Sequence, residues 1–360
     1  MDKSFAVVFM FILTHLGVIF FLYPEDIIAS TPSGHWVLIL FEMIVHFAAI
    51  SMYMKGLSSF PGWDIIRIYM NAGKTVAIFF LLPVTLYLLV VIIIAVRAYS
   101  EVITIIFLSN TPLWSIIILL LFVSTYLALK GVNAIFRTGV LVGTLSLPLI
   151  LIISLTSFQN VDWNYVFPLF DQGSFSFLTT SSYLKSFFAY AGGFLYLGFV
   201  PPFFTYQRKK VLLAIVALTP FFILSVYVPL LTFGEATAAT LHFPLVVVFE
   251  TISIPWLMFD RVTMFFMFTL IAFSMIFISL VLWETNQVIS QCIPFVKPKY
   301  LLIFLSVFIF IICLTIHDWE TVEKLLLWNS PLRLFVLVTV PLSIFYLGLR
   351  AKRRVGHAHN

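Results

Sequence analysis

Glu42 and His46 stand four residues apart in one apolar run, so a helix there carries a carboxyl and an imidazole on a single face. Ionisable groups at membrane depth are costly, and they ordinarily face a cavity, a substrate path or each other. A hydrogen bond between the two for packing alone is the competing reading. A second imidazole, His15, lies in the stretch Thr14-His15-Leu16-Gly17, where it could hold a ligand carboxylate, take up a proton or bond a carbonyl. Gly192 and Gly193 interrupt a further apolar run, Tyr183 to Pro202, which also holds Gly198 and closes on two prolines. A glycine pair lowers helix stability by about 1 kcal/mol per residue, and opened backbone at membrane depth persists only where it lines a cavity or packs in protein. Tyr87, Tyr190 and Ser274 could reach such a cavity, although aromatic and small hydroxyl residues are routine in helix contacts. The candidate ligand-binding set is Thr14, His15, Gly17, Glu42, Tyr87, Tyr190, Gly192, Gly193 and Ser274.

The chemistry these residues offer is binding. The chain contains no GxxxxGK[ST], HExxH, CxxC or GxSxG, so ATP-driven transport, zinc proteolysis and serine hydrolysis lack their residues. No enzymatic activity, cofactor or metal is expected. Cys292 and Cys313 both fall at or within apolar segments and need not pair. Arg97 and Glu101, four apart in the weaker order for a helical pair, read as an ordinary wet ion pair at a span end.

The elements that must position the candidates are membrane helices. Of 360 residues 62% are hydrophobic and 10% charged, with 41 phenylalanines, which is more apolar surface than a soluble domain of this length can hide. Spanning runs fall at 4–24, 35–54, 75–99, 112–130, 138–157, 184–205, 211–233, 261–283, 300–316 and 331–349, giving a single all-α polytopic domain, 1–360, of ten transmembrane helices. The first run leads into Tyr23-Pro24-Glu25-Asp26 without a small-residue cleavage site and reads as a retained span. The net charge of +5 serves topology and not nucleic acid: 15 of the 20 Lys and Arg fall in loops on one side, against Arg97, Lys185, Arg261, Lys324 and Arg333 on the other. That asymmetry places both termini in the cytoplasm. Outside, the short apolar run Pro244 to Ile252 cannot cross and is expected to lie at the interface or to cover a vestibule.

The chain also divides into halves. Thr14 to Pro24 is a glycine-interrupted segment ending at a proline, and it opens the first group of five spans as the Gly192-Gly193 segment opens the second. Five is odd, so halves 1–157 and 184–350 have opposite topology. Paired interrupted helices in inverted halves point to a binding site near the membrane midplane.

With these segments in order, the chain resembles the spore germination permease family, the B subunits of nutrient germinant receptors within the amino acid-polyamine-organocation superfamily. The resemblance rests on Thr14 to Pro24, Leu57 to Gly62 (LSSFPG), Arg97 to Glu101 followed by Asn110-Thr111-Pro112, Lys130-Gly131, and Phe167-Pro168. It implies a LeuT-like fold of two inverted five-helix repeats, with a ligand held between broken helices 1 and 6. Onto the matching positions it carries Thr14, His15, Gly17, Gly192 and Gly193. Ile19 replaces a glycine frequent in the family, and Phe194-Leu195 occupies a region that is acidic in many members, which implies a bulkier and less polar site. The implied role is to bind a small germinant, an amino acid above all, in the spore inner membrane, and to signal through an A subunit and a lipoprotein C subunit. An ion-coupled amino acid transporter, using the same fold, is the alternative reading; a ligand-free membrane scaffold is a third.

Overall fold

A computed structural model describes residues 3–106, 108–252, 262–292 and 294–357. The described residues form helices and turns without a strand. In chain order the α-helices are α1 (Lys3–Ile19), α2 (Tyr23–Ile28), α3 (His35–Leu57), α4 (Ile65–Ala72), α5 (Lys74–Ile106), α6 (Leu113–Leu129), α7 (Val132–Thr156), α8 (Ser181–Ser186), α9 (Phe188–Ala191) and α10 (Arg208–Phe233). They continue with α11 (Glu235–Ala238), α12 (Pro244–Glu250), α13 (Val262–Cys292), α14 (Pro298–Thr315), α15 (Trp319–Trp328), α16 (Ser330–Leu334) and α17 (Val340–His357), with a π-helical turn, Phe335–Thr339, joining the last two.

Seven helices among the described residues are long and apolar enough to cross a membrane, and the segments Ser4–Ile19 and Leu113–Leu129 are shorter apolar helices. The remaining expected span, 184–205, is not one helix. Its chain runs through α8 and α9, leaves helical bonding at Gly192, makes a 3-10 turn at Leu195–Gly198 and reaches α10 through a non-helical link. The first span is broken as well, but not as its sequence suggests. Gly17 sits in the last helical turn of α1, the break falls at 20–22, and Pro24 opens α2 instead of closing the span. Proline in a first turn loses no hydrogen bond, because the N–H it lacks would have had no helical acceptor.

The broken segments lie inside the bundle. α1 packs on α7, α10 and α13, while α13 also packs on α5 and α6. Buried side chains of nearly every helix merge into one core. α3 and α17 cross backbone to backbone: a Cβ added at Gly56 would come within 2.5 Å of the Ile344 carbonyl oxygen, and one at Gly348 within 2.8 Å of the Gly56 carbonyl. Small residues that let backbones touch are a standard device of membrane helix packing. α12 buries Leu245, Val246, Val248 and Phe249 and packs on α10, α13 and α2. The loop after α7 lies over the start of α3, where Ser33 Oγ bonds Asp171 Oδ1 at 2.5 Å and Trp36 Nε1 donates to the Leu169 carbonyl at 3.0 Å. Outside the spans, Asp318 caps α15 by accepting the Thr321 N–H at 2.8 Å, and its hydrogen bonds from Thr321 hold the carboxylate below its usual range.

Candidate ligand-binding site

The two breaks meet. Thr14 Oγ1 donates to the Gly193 carbonyl at 3.3 Å and is also within 3.1 Å of the Phe11 carbonyl. The His15 ring lies against Gly193 so closely that a Cβ there would sit 2.6 Å from His15 Cε1. Only glycine admits this approach. His15 donates its Nδ1–H to the Phe11 carbonyl at 2.7 Å, leaving Nε2 buried without a partner. His46 packs edge-on to His15 with centroids 5.1 Å apart, and neither of its ring nitrogens has a partner. The Tyr87 hydroxyl is likewise unpartnered, 3.7 Å from the position of a Cβ on Gly192. Phe11, Tyr190 and Phe194 wall this group, with ring centroids 5.0–6.2 Å from His46. Native proteins pair nearly all their buried polar atoms. Four unspent nitrogens and oxygens around one backbone break make this the candidate site.

Glu42 belongs to the same layer but has another task. It is fully buried, accepts from Tyr23 Oη at 2.9 Å and from the Ser186 hydroxyl, and Tyr190 Oη in turn donates to Tyr23 Oη at 3.0 Å. Tyr23 comes from α2 and Ser186 from α8, so Glu42 joins the second half of the first broken span and the first half of the sixth to α3. It does not bond His46. Gly17 contributes its carbonyl to the Tyr99 hydroxyl and its open face to Phe273, whose Cβ would lie 3.4 Å from a Cβ at that position. Ser274 donates its hydroxyl to the Ile271 carbonyl of its own helix at 2.7 Å. In apolar surroundings the back-bond to the preceding turn is the nearest acceptor a serine has.

Above the centre lies a charged layer whose depth the sequence hides. Arg333 and Lys185 look like loop charges, yet Arg333 is fully buried and Lys185 nearly so. Arg333 Nη1 donates to the Leu184 and Lys185 carbonyls at 2.7 and 2.9 Å, and Nη2 to the Leu326 carbonyl at 2.9 Å. Lys185 Nζ meets Asp26 Oδ1 at 3.2 Å and Glu323 Oε2 at 3.5 Å. Arg97 too is buried, not wet, donating to the Ile316 carbonyl at 3.0 Å as well as pairing with Glu101. Arg261, a further cation of the minority side in the charge count, lies outside the described residues. In this layer Glu25, His242 and Glu323 have ligand atoms within 4.8 Å of one another and could jointly hold a metal ion. His242 Nδ1 also bonds Glu25 Oε1 at 2.9 Å.

Sequence reasoning did not include His46 among the binding residues, although its spacing from Glu42 placed it on the right face. It also missed Tyr23 and Ser186, which carry no signal until the two breaks are superposed.

The profile of the family described as spore germination protein matches residues 3–321. Spore germination protein B2 of Bacillus subtilis (strain 168) is 23% identical over 244 residues, covering 67% of this chain and 65% of that protein's length. Among solved structures, the crystal structure of MhsT in complex with L-phenylalanine superposes with a TM-score of 0.63 at 13% identity, covering 95% of this chain and 98% of the other. That likeness shows a LeuT-like fold, here with the first and sixth spans broken; the family profile and the apolar helices make it a multi-pass, permease-like membrane protein. With a family profile that spans almost its whole length, this chain belongs to the spore germination permease family.

Proposed function

We propose that this chain is a B-type subunit of a nutrient germinant receptor, and that it binds a small germinant, an amino acid in the first instance, between its broken first and sixth spans. One observation carries the reading: the unspent polar atoms of His15, His46 and Tyr87 around Gly192 and Gly193. Imidazoles and a phenol can receive a carboxylate, while the rings of Phe11, Phe194 and Tyr190 suit an apolar side chain. The relative solved with L-phenylalanine supports an amino acid as the first ligand class to try. Halves 1–157 and 184–350 form the inverted repeats, both termini face the cytoplasm, and the subunit works in the spore inner membrane with an A subunit and a lipoprotein C subunit. The ligand signals by binding one conformation more tightly than another. No catalytic step is required of it.

The test is thermal unfolding of the purified chain in lipid nanodiscs against a panel of amino acids, sugars and nucleosides. A true ligand at a hundred times its dissociation constant adds about 2.7 kcal/mol, and H46A and Y87F remove that gain. A panel without any stabilising nutrient overturns the reading. Concentrative uptake of a stabilising amino acid by proteoliposomes holding this chain alone would favour the ion-coupled transporter instead.

A further inference from the structure

Among the described residues Glu284 is, with Glu42, a fully buried carboxyl, and nothing in the ligand site uses it. Both of its side-chain oxygens lack a hydrogen-bond partner. Its place follows from the helix it stands on. On α13, Phe273 faces Gly17 and Phe277 faces Gly192, with Phe277 Cζ 3.2 Å from a Cβ built there. Glu284 comes seven residues after Phe277, two helical turns along the same stripe and about 10 Å nearer the Cys292 end. It therefore lies below the two breaks, on the inner side of the site.

The groups around it are neutral phenols, two of them already committed to carbonyls. Its electrostatic neighbours are Tyr53 from α3, Tyr196 from the 3-10 turn and Tyr87 from α5. Tyr53 Oη donates to the Leu195 carbonyl at 3.3 Å and Tyr196 Oη to the Val7 carbonyl at 2.6 Å. Among the described residues no Lys, Arg or His from α1, α5, α6 or α7 forms an ion pair with it. An ionised carboxylate in such surroundings is prohibitively costly, and the group escapes by taking up a proton. Water is not far away: a cleft of about 450 Å³, lined by Lys130, Asn286, Gln287 and Lys299, begins within one turn on the neighbouring face of α13.

We propose that Glu284 is a proton-binding site set between the ligand centre and the cytoplasmic side. In the form described here, where it is buried with both oxygens unpartnered, it is a carboxylic acid. When the inner side opens, water from the cleft solvates it and the proton passes from the carboxyl oxygen to that water; closure reverses the transfer. Proton occupancy and conformation are thereby tied together, whichever nutrient occupies the centre.

Infrared difference spectroscopy of the purified chain in nanodiscs, in H2O and D2O and from acid to alkaline pH, tests the assignment. The expected spectrum contains a carboxylic-acid C=O band that shifts in D2O, survives E42Q and disappears in both E284Q and E284L. A wild-type spectrum without such a band at any pH, or a band untouched by either Glu284 variant, overturns it. Sodium and potassium arms separate the proton from a metal cation. Loss of the band on adding either salt would show that Glu284 is ionised and holds that cation, and would also overturn the proposal. None of these outcomes depends on nutrient binding, so failure here and failure of the receptor reading are distinguishable.

Discussion

A single missing methyl group lets the two broken spans touch. Because Gly193 leaves room for the His15 ring, G193A should force the imidazole aside and cost about 2 kcal/mol, the usual scale of overpacking. H15A should restore most of that loss in the double variant, since the obstruction is a side chain that can be trimmed; a thermodynamic cycle from thermal unfolding measures the coupling. Additive losses would separate the two residues. At this scale much was legible. The glycine pair, His15 and Glu42 each stood out in the sequence as residues an apolar segment should not carry. What could not be read was their division of labour, because Glu42 finds its partners 19 and 144 residues away, and only folding brings Tyr23 and Ser186 to it. Ser274 spends its hydroxyl on the acceptor one turn back in its own helix, a local bond that the sequence does not announce.

Between elements, buried Arg333 is the fastening that the sequence conceals best. It lies between α8 and α15 and gives its fork of donors to carbonyls of both, with its guanidinium 5.3 Å from the centre of the Phe188 ring. R333M should lower stability by at least about 2 kcal/mol, because buried carbonyls lose their donors. R333K should fail to recover it, because an ammonium cannot address several carbonyls in one plane as a guanidinium does. Limited proteolysis near Ser181 together with thermal unfolding reads the result, and a silent R333M would remove Arg333 from the outer fastening. Charge counting assigned this residue to a loop, since such counting records sign and position along the chain and knows nothing of depth. Helix existence was far easier to read than helix continuity. Apolar runs announce their length, but whether a proline closes one segment or opens the next depends on which hydrogen bonds the chain has already given up, as Pro24 shows.

For the molecule as a whole, the orientation proposed from the basic loops has a natural reporter. Cys292 is exposed at the end of α13 that leads to Lys297 and Lys299, and Cys313 is buried. In intact cells a membrane-impermeant maleimide should leave the unmodified chain unlabelled, and inside-out vesicles should label it at Cys292; the opposite pattern would invert the topology. The fold class was readable from composition and span order, because a membrane makes hydrophobic length and basic asymmetry obligatory. The meeting of α3 and α17 was not readable, for two glycines nearly three hundred residues apart say nothing of each other in a linear chain. Their contact has a consequence for how such a sequence can drift. Where a side chain blocks a neighbour, a later change elsewhere can make room, and a lineage can pass through the loss and recover. At Gly56 and Gly348 the obstacle is main chain, which every amino acid carries alike. No substitution at one position can compensate for enlarging the other, so both glycines are held in place together for as long as the two helices cross there.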